Sequence, residues 1–456
     1  VESLHDHSKK HIRSKVVAIA LPALVELSLV QLATMVGIMM VGQLGPWAIS
    51  AVGYCAQPKF LLLSVFIALN TGATALIARA TGEGDREQAN HVLQTSMMLT
   101  FWMSLIISVV GFFGARSMVV FMEGGNSGPE GERILNAATQ YMQIQMAGFV
   151  FNAMSLSITA CLRGIGKTKI SMIYNLVANG INVILNYLFV YGKLGFPRWE
   201  VAGSSLATAI GQTVAFVIAL VVVLKYDDYL RLEIKNFFKV KLDIVKRMAH
   251  IGMPAMGEQL VIRAGMVIYT ITIATLGSDA FASHNIASSI LTMTFMTGQA
   301  FGISATSLMG QCLGAKDIEG AKLNTQMCRR IGMLCSIGLV LVFVFLGSPI
   351  CRLYTGEETI VAESARLLLA VALLQPLQTS QLIISGALRG AGDTMVVAVI
   401  TFLGVLIVRP LLSMVAINVF HLGLLGAWVA MIIDQSFRSL ISFMRFKSNK
   451  WVYLKV

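Results

Sequence analysis

Apolar residues recur along the chain in runs near the length of about 20 that an α-helix needs to cross a bilayer. Short polar segments separate them. Val16 to Gly42, Phe101 to Met122, Thr208 to Leu224 and Ile331 to Leu346 are examples. The pattern predicts twelve transmembrane helices, over residues 16–42, 51–79, 92–121, 136–162, 169–192, 202–224, 250–277, 284–310, 324–347, 361–387, 395–418 and 423–444. The strand-sized alternating segments that a membrane barrel requires are absent. The expected class is an all-α integral membrane protein.

The spans repeat. Pro22-Ala23-Leu24-Val25-Glu26 matches Pro254-Ala255-Met256-Gly257-Glu258 at an offset of 232 residues (254 − 22). Leu44-Gly45 against Leu276-Gly277 keeps that offset, as do Gly82, Asp85, Glu87 and Ala89 against Gly314, Asp317, Glu319 and Ala321. Leu162-Arg163-Gly164 and Leu388-Arg389-Gly390 lie 226 apart, and Gly203/Ala207 and Gly426/Ala430 lie 223 apart. The expected organisation is a tail (1–15), a six-helix bundle (16–225), a linker (226–249), a second six-helix bundle (250–446) and a second tail (447–456). An even number of spans returns the chain to its starting side, so the repeats are parallel, and a substrate cavity at their interface is the default expectation. The linker carries an amphipathic stretch (Ile234, Phe237, Phe238, Val240, Leu242, Val245) suited to an anionic leaflet surface.

Composition agrees, with 56% hydrophobic residues, 13% charged and a mean hydropathy of +0.74; soluble domains carry about 25% charged residues. The excess of 35 Lys+Arg over 23 Asp+Glu does not signal nucleic acid, because the basic residues are scattered among short loops without interleaved aromatics. Their alternation reports topology. Lys9, Lys10, Arg13 and Lys15 precede span one, Arg79 and Arg86 follow span two, and Arg163, Lys167 and Lys169 follow span four. Lys225, Arg231, Lys235, Lys239, Lys241, Lys246 and Arg247 separate spans six and seven; Lys316 and Lys322 follow span eight, and Arg445, Lys447, Lys450 and Lys455 close the chain. The positive-inside rule then places both termini in the cytoplasm. Residues 1–15 lack the apolar core and cleavage site of a signal peptide. The six cysteines show no CxxC spacing and read as packing residues. Gly164-Ile165-Gly166-Lys167-Thr168 lacks the spacing of a phosphate loop and follows a membrane helix rather than a strand, so no nucleotide is expected. With no nucleophilic triad and no metal site beyond Na⁺, the chain is expected not to be an enzyme and to couple to a gradient of H⁺ or Na⁺, with no other cofactor.

An ionisable side chain inside a span costs about 2.5–3.5 kcal/mol at the helix centre on insertion scales and usually has a function. Glu26, Glu258 and Asp434 are the acids that lie clearly inside spans, and the first two are repeat-equivalent. In one reading Glu258, with Glu26 as its counterpart, binds Na⁺ or takes a proton in exchange for substrate. In the other, the two carboxylates form symmetric buried ion pairs with the repeat-equivalent Arg163 and Arg389, or with Arg263. Asp434 and Arg438, four apart, are expected to pair locally. Asn175, Asn179, Asn182 and Asn186 share one face of span five. They either line a cavity or tie helices together. Gln375, Gln378 and Gln381 in span ten form a weaker stripe with the same two readings, and Gln259 is grouped with the cavity residues. His284 is expected to be a hydrogen-bonded structural residue. The 25 methionines fill packing gaps, although their adaptability also suits varied apolar ligands.

Three motifs carry a resemblance: Met40-Val41-Gly42-Gln43-Leu44-Gly45, Gly310-Gln311-Cys312-Leu313-Gly314-Ala315, and Gly386-Ala387-Leu388-Arg389-Gly390-Ala391-Gly392-Asp393-Thr394. From Val16 to Phe446 the chain resembles the multidrug and toxic compound extrusion (MATE) family. The resemblance implies a V-shaped fold of two pseudo-symmetric six-helix bundles and efflux, commonly of organic cations, in exchange for Na⁺ or H⁺. It also implies a bacterial inner (plasma) membrane. The family's usual acids are missing. An aspartate often found in span one is Gly37 here, and one in span five is Asn186; a glutamate in span seven and an aspartate in span ten that bind cations in one branch are Ile262 and Gln378. Glu258 lies one turn before Ile262 and is expected to replace it. Two alternatives stand beside efflux. A flippase for lipid-linked or amphiphilic cargo predicts a cationic cavity, for which the spans hold few basic residues. A membrane-embedded enzyme or scaffold lacks any catalytic constellation to support it. The expected partners are small-molecule substrates and membrane lipids, with the chain acting as a monomer.

Overall fold

The two sequence repeats fold as two series of helices in a computed structural model, which describes residues 8–123, 129–226, 229–232, 241–352 and 357–454. The first series is α1 (Lys9–Gly42), α2 (Pro46–Glu83), α3 (Arg86–Glu123), α4 (Pro129–Ala147), α5 (Phe149–Gly164), α6 (Thr168–Tyr191) and α7 (Glu200–Val221). The second is α8 (Leu242–Ala274), α9 (Ser278–Gly314), α10 (Ile318–Arg352), α11 (Glu358–Gly390), α12 (Thr394–Phe402), α13 (Arg409–Asn418) and α14 (Gly423–Lys447). Among the described residues ten helices are long and apolar enough to cross a membrane, and the bent α4–α5 pair makes eleven. The expected seventh span is the 33-residue α8, which has the length but whose apolar run Glu258, Gln259 and Arg263 interrupt, so the structure supports eleven of the twelve expected spans by length and composition. Of the amphipathic linker, Ile234, Phe237, Phe238 and Val240 lie outside the described residues, while Leu242 and Val245 open α8.

Two expected spans are broken within their length, and a third, 202–224, ends in a π-helical turn (Val222–Tyr226). Residues 136–162 bend by 50° between α4 and α5. The bend falls at Gly148, which packs so closely on α7 that a Cβ there would lie 2.9 Å from that of Ala209; a glycine at a close crossing is a common site of kinking. Residues 395–418 divide into α12, a π-helical turn (Leu403–Val408) and α13. Gly404 lies in that wide turn directly beneath Asp434 and Arg438, where any Cβ would meet the carboxylate. The turn thus leaves room for charged side chains from α14.

The chain divides into two compact units: a C-terminal unit of Val1–Leu24, Ala78–Gly84 and His250–Val456, and an N-terminal unit of Val25–Ile77 and Asp85–Ala249. One core of the C-terminal unit joins Ile12, Val16 and Ile19 of α1 to Leu308, Leu388 and Trp451. A second surrounds Trp428 with Tyr269, Phe343 and Leu367. In the N-terminal unit Phe66, Met142, Met146 and Phe149 form the core, with the Phe66 and Phe149 rings edge to face at 5.5 Å. Five of the six cysteines are buried, as packing residues would be, and Cys335 is exposed.

The repeated motifs now have physical causes. In the N-terminal unit Gly164 lets α5 press on α2, where an added Cβ would lie 3.0 Å from the Thr74 carbonyl oxygen, and the Thr74 hydroxyl donates to Ala160 O at 2.9 Å. In the C-terminal unit Gly390 meets the Thr306 carbonyl in the same way, and Thr306 donates to Gly386 O at 2.8 Å. Just beyond, Gly166 (φ 82°) and Gly392 (φ 89°) turn the chain in the left-handed region that glycine tolerates. Asp85 and Asp317, also equivalent, cap the next helices by accepting from Gln88 N at 2.9 Å and Gly320 N at 2.8 Å. Gly390→Ala is expected to cost about 1–3 kcal/mol through overpacking, read as a lower thermal unfolding midpoint in detergent. Gly338→Ala, with open space around Gly338, serves as the unaffected control.

Candidate functional site

The glycine crossings place Arg163 and Arg389 one residue earlier on α5 and α11, and each guanidinium reaches a buried acid. Glu26, 4% exposed, accepts from Arg163 Nη2 at 2.9 Å, Asn175 Nδ2 at 2.8 Å and Ser171 Oγ at 2.9 Å. Glu258, 3% exposed, accepts from Arg389 Nη2 at 2.6 and 2.8 Å on its two oxygens and from Thr401 Oγ1 at 3.2 Å. Asn175 and Thr401 are offset by the same 226 residues as the two arginines (401 − 175). Each unit therefore holds one copy of a single arrangement, with the acid on the first helix of its repeat, the arginine at the end of α5 or α11, and a polar donor on α6 or α12. Of the partners considered for Glu258, Arg389 makes this contact; Arg263 is half-buried on α8. Pairing of this kind answers the cost of a buried charge.

A third buried acid joins the C-terminal unit. Asp434, fully buried, accepts from Arg438 Nε and Nη2, both at 3.0 Å, the expected local pair. A second guanidinium was not foreseen: Arg409 donates to Oδ2 through Nε at 3.0 Å and Nη2 at 2.7 Å. Arg438 also donates to Gln435 Oε1 at 2.6 Å. Two guanidiniums share one carboxylate, so the cluster carries a net positive charge. Arg409 also lies 5.6 Å over the Tyr269 ring. His284 packs edge to face between Tyr269 at 5.6 Å and Trp428 at 5.7 Å, with Ser288 Oγ 3.2 Å from Nε2, which suits the structural role expected of it.

The asparagine stripe is engaged along its length. Beyond Asn175 on Glu26, Asn179 donates to Asn175 O at 2.7 Å, Asn182 to Thr208 Oγ1 of α7 at 3.2 Å, and Asn186 to Asn182 O at 3.1 Å. Asn186 is buried and its Oδ1 has no hydrogen-bond partner. In the glutamine stripe, buried Gln375 bonds Thr294 and buried Gln381 donates to Ser385 Oγ at 3.1 Å. Gln378 is half-buried with an unpartnered Oε1, and Gln259 is half-buried. Sequence reasoning also passed over Lys59 on α2, whose Nζ donates to Gln145 Oε1 at 2.6 Å. A cation in the middle of span two was the available signal.

The MatE family profile matches residues 22–188 and 254–415, one segment in each repeat. The "Probable multidrug resistance protein NorM" of Thermotoga maritima is 28% identical over 96% of this chain and 93% of its own length. The "Uncharacterized transporter YisQ" of Bacillus subtilis is 26% identical over 94% and 93%. Among solved structures, a MOP superfamily transporter from Pyrococcus furiosus superposes with a TM-score of 0.88 at 20% identity, covering 97% of both chains. An outward-facing multidrug resistance MATE family transporter gives 0.88 at 20% identity over the same coverage.

The shared carboxylate makes the third cluster asymmetric towards substitution. Asp434→Asn leaves two buried guanidiniums without their anion and is expected to cost about 3–5 kcal/mol. Arg409→Gln leaves Asp434 with Arg438 and costs less. Unfolding midpoints of the purified variants in detergent check the order.

Proposed function

The chain belongs to the MatE family of multi-pass membrane transporters, which are not enzymes, and on that premise we propose that it exports small organic molecules by alternating access, in exchange for H⁺ or Na⁺. The observation that carries the proposal is the duplicated carboxylate–arginine contact, Glu26 with Arg163 and Glu258 with Arg389. A buried carboxylate held by one guanidinium offers a place where a proton or Na⁺ competes with an internal cation. When the entering cation neutralises Glu258, Arg389 loses its partner. Breaking a buried pair costs about 3–5 kcal/mol, so cation occupancy favours a second packing of the α11 end against α8. A ligand shifts such an equilibrium only by its differential affinity for the two states, and the charge of the cation supplies that difference. Glu258 is the main coupling group and Glu26 its counterpart.

The proposed cargo is cationic or amphiphilic. Support comes from the multidrug resistance names borne by relatives over nearly the whole chain, and from half-buried amides at Asn179, Asn182, Gln259 and Gln378 that offer polar contacts. The proposed location is the inner (plasma) membrane with cytoplasmic termini, supported by the alternation of Lys and Arg between spans, and the proposed active form is a monomer.

Proteoliposomes with separately imposed Na⁺ and H⁺ gradients test the coupling. Wild-type protein is expected to respond to one of the two. Glu258→Gln is expected to lose gradient-driven transport by about 5- to 150-fold, the range of a coupling free energy of 1–3 kcal/mol. The double variant Glu258→Gln/Arg389→Gln removes both charges, which restores the unfolding midpoint without restoring coupling. Full gradient-driven transport by the double variant would make Glu258 a brace rather than a coupling group.

A further inference from the structure

At the end of the C-terminal unit where α10 begins and α11 and α14 finish, a cavity of about 530 Å³ opens between the helices. Four cations line it, Lys322, Arg329 and Arg330 from α10 and Lys447 from α14, and no carboxylate does. Among the described residues none of the four makes a salt bridge. Arg329 is held instead over the Phe443 ring at 4.7 Å, which fixes the guanidinium without neutralising it. The chain closes one side of the cavity by turning back at Asn449 (φ 55°). Trp451 then stacks on Phe446, with ring centroids 5.5 Å apart, and donates to Phe446 O at 2.8 Å. The cations therefore surround a formed space and are not simply a solvated face.

The position of the cavity along the helices identifies what it takes. On α10, apart from Ile318 at its first residue, the exposed large apolar side chains run from Leu334 through Leu341 to Leu346. On α14 they run from Leu425 to Met444. On both helices this lipid-facing stretch stops within about one turn of the cations, since Leu334 follows Arg330 by four residues and Lys447 follows Met444 by three. The unpaired positive charge thus lies at the edge of the hydrocarbon, where phospholipid headgroups lie. Beside the polar Thr325, Gln326 and Asn449, the lining includes the apolar Met333, Ile384 and Phe446, which suit the upper part of an acyl chain. A free phosphate would use the cations and leave the apolar part of the lining uncovered.

We propose that this cavity is a binding site for an anionic glycerophospholipid, its phosphate on Arg329, Arg330, Lys322 and Lys447 and its acyl chains along α10 and α14. The full chain in detergent can be titrated with dioleoylphosphatidylglycerol, dioleoylphosphatidylcholine and inorganic phosphate, with bound lipid counted by native mass spectrometry. The anionic lipid is expected to bind more tightly than the zwitterionic one, and that preference is expected to fall about fivefold for each cation removed in Arg329→Gln and Arg330→Gln. Arg329→Lys keeps the charge and most of the preference, and exposed Lys193→Gln leaves it unchanged. Equal binding of the two lipids would overturn the proposal. So would an undiminished preference in a monodisperse Arg329→Gln/Arg330→Gln double variant. Displacement of phosphatidylglycerol by inorganic phosphate would overturn it too, by marking a site for soluble anions.

Discussion

A charge that enters hydrocarbon must find a partner, and in this chain that requirement ties backbone to side chain. Gly164 and Gly390 allow two helices to touch backbone to backbone. That contact fixes the end of α5 and α11, and so the depth of Arg163 and Arg389, the residues immediately before the glycines. Their guanidiniums then hold Glu26 and Glu258 at 2.9 and 2.6 Å. A Cβ at the glycine, a neutral residue at the arginine or a neutral residue at the glutamate would each disturb the same assembly. Sequence, packing and electrostatics meet at one contact, made once in each unit.

The copies have diverged in what surrounds them. In the N-terminal unit neutral amides extend away from the pair, from Asn175 on Glu26 to Asn186 with its unpartnered oxygen. In the C-terminal unit the equivalent helix is interrupted by a π-helical turn, Leu403–Val408, and a second charged cluster follows it, with Asp434 between Arg409 and Arg438. π-helical turns inside α-helices are frequent at functional sites. Here the turn has a visible steric purpose, since Gly404 leaves the space that the Asp434 and Arg438 side chains fill. One unit thus buries a polar, uncharged face, and the other a network with surplus positive charge.

Much of this was legible because the repeat doubles every signal. The nearly constant offset matched Glu26 with Glu258 (258 − 26 = 232) and Arg163 with Arg389 (389 − 163 = 226), and within each unit the acid meets the arginine of its own repeat. Arg409 was hidden because Arg438, one turn from Asp434, already accounted for that acid. Lys59 was hidden because its partner, Gln145, is neutral and 86 residues away. Neither the bend at Gly148 nor the π-helical turn has a mark in hydropathy, since both arise from a neighbouring helix pressing on a glycine. The contacts of Gln375 and Gln381 with hydroxyls of buried threonine and serine likewise depend on how α11 is rotated, which spacing alone leaves open.

The central claim is that Glu258 gives up Arg389 when the driving cation arrives. Infrared difference spectra of the reconstituted protein, recorded as acid or Na⁺ is added, report on that carboxylate directly. The account predicts a carboxyl or carboxylate band that changes with the transported cation and is missing from Glu258→Gln. A difference spectrum that is identical in wild type and Glu258→Gln, under conditions where wild type transports, would contradict it.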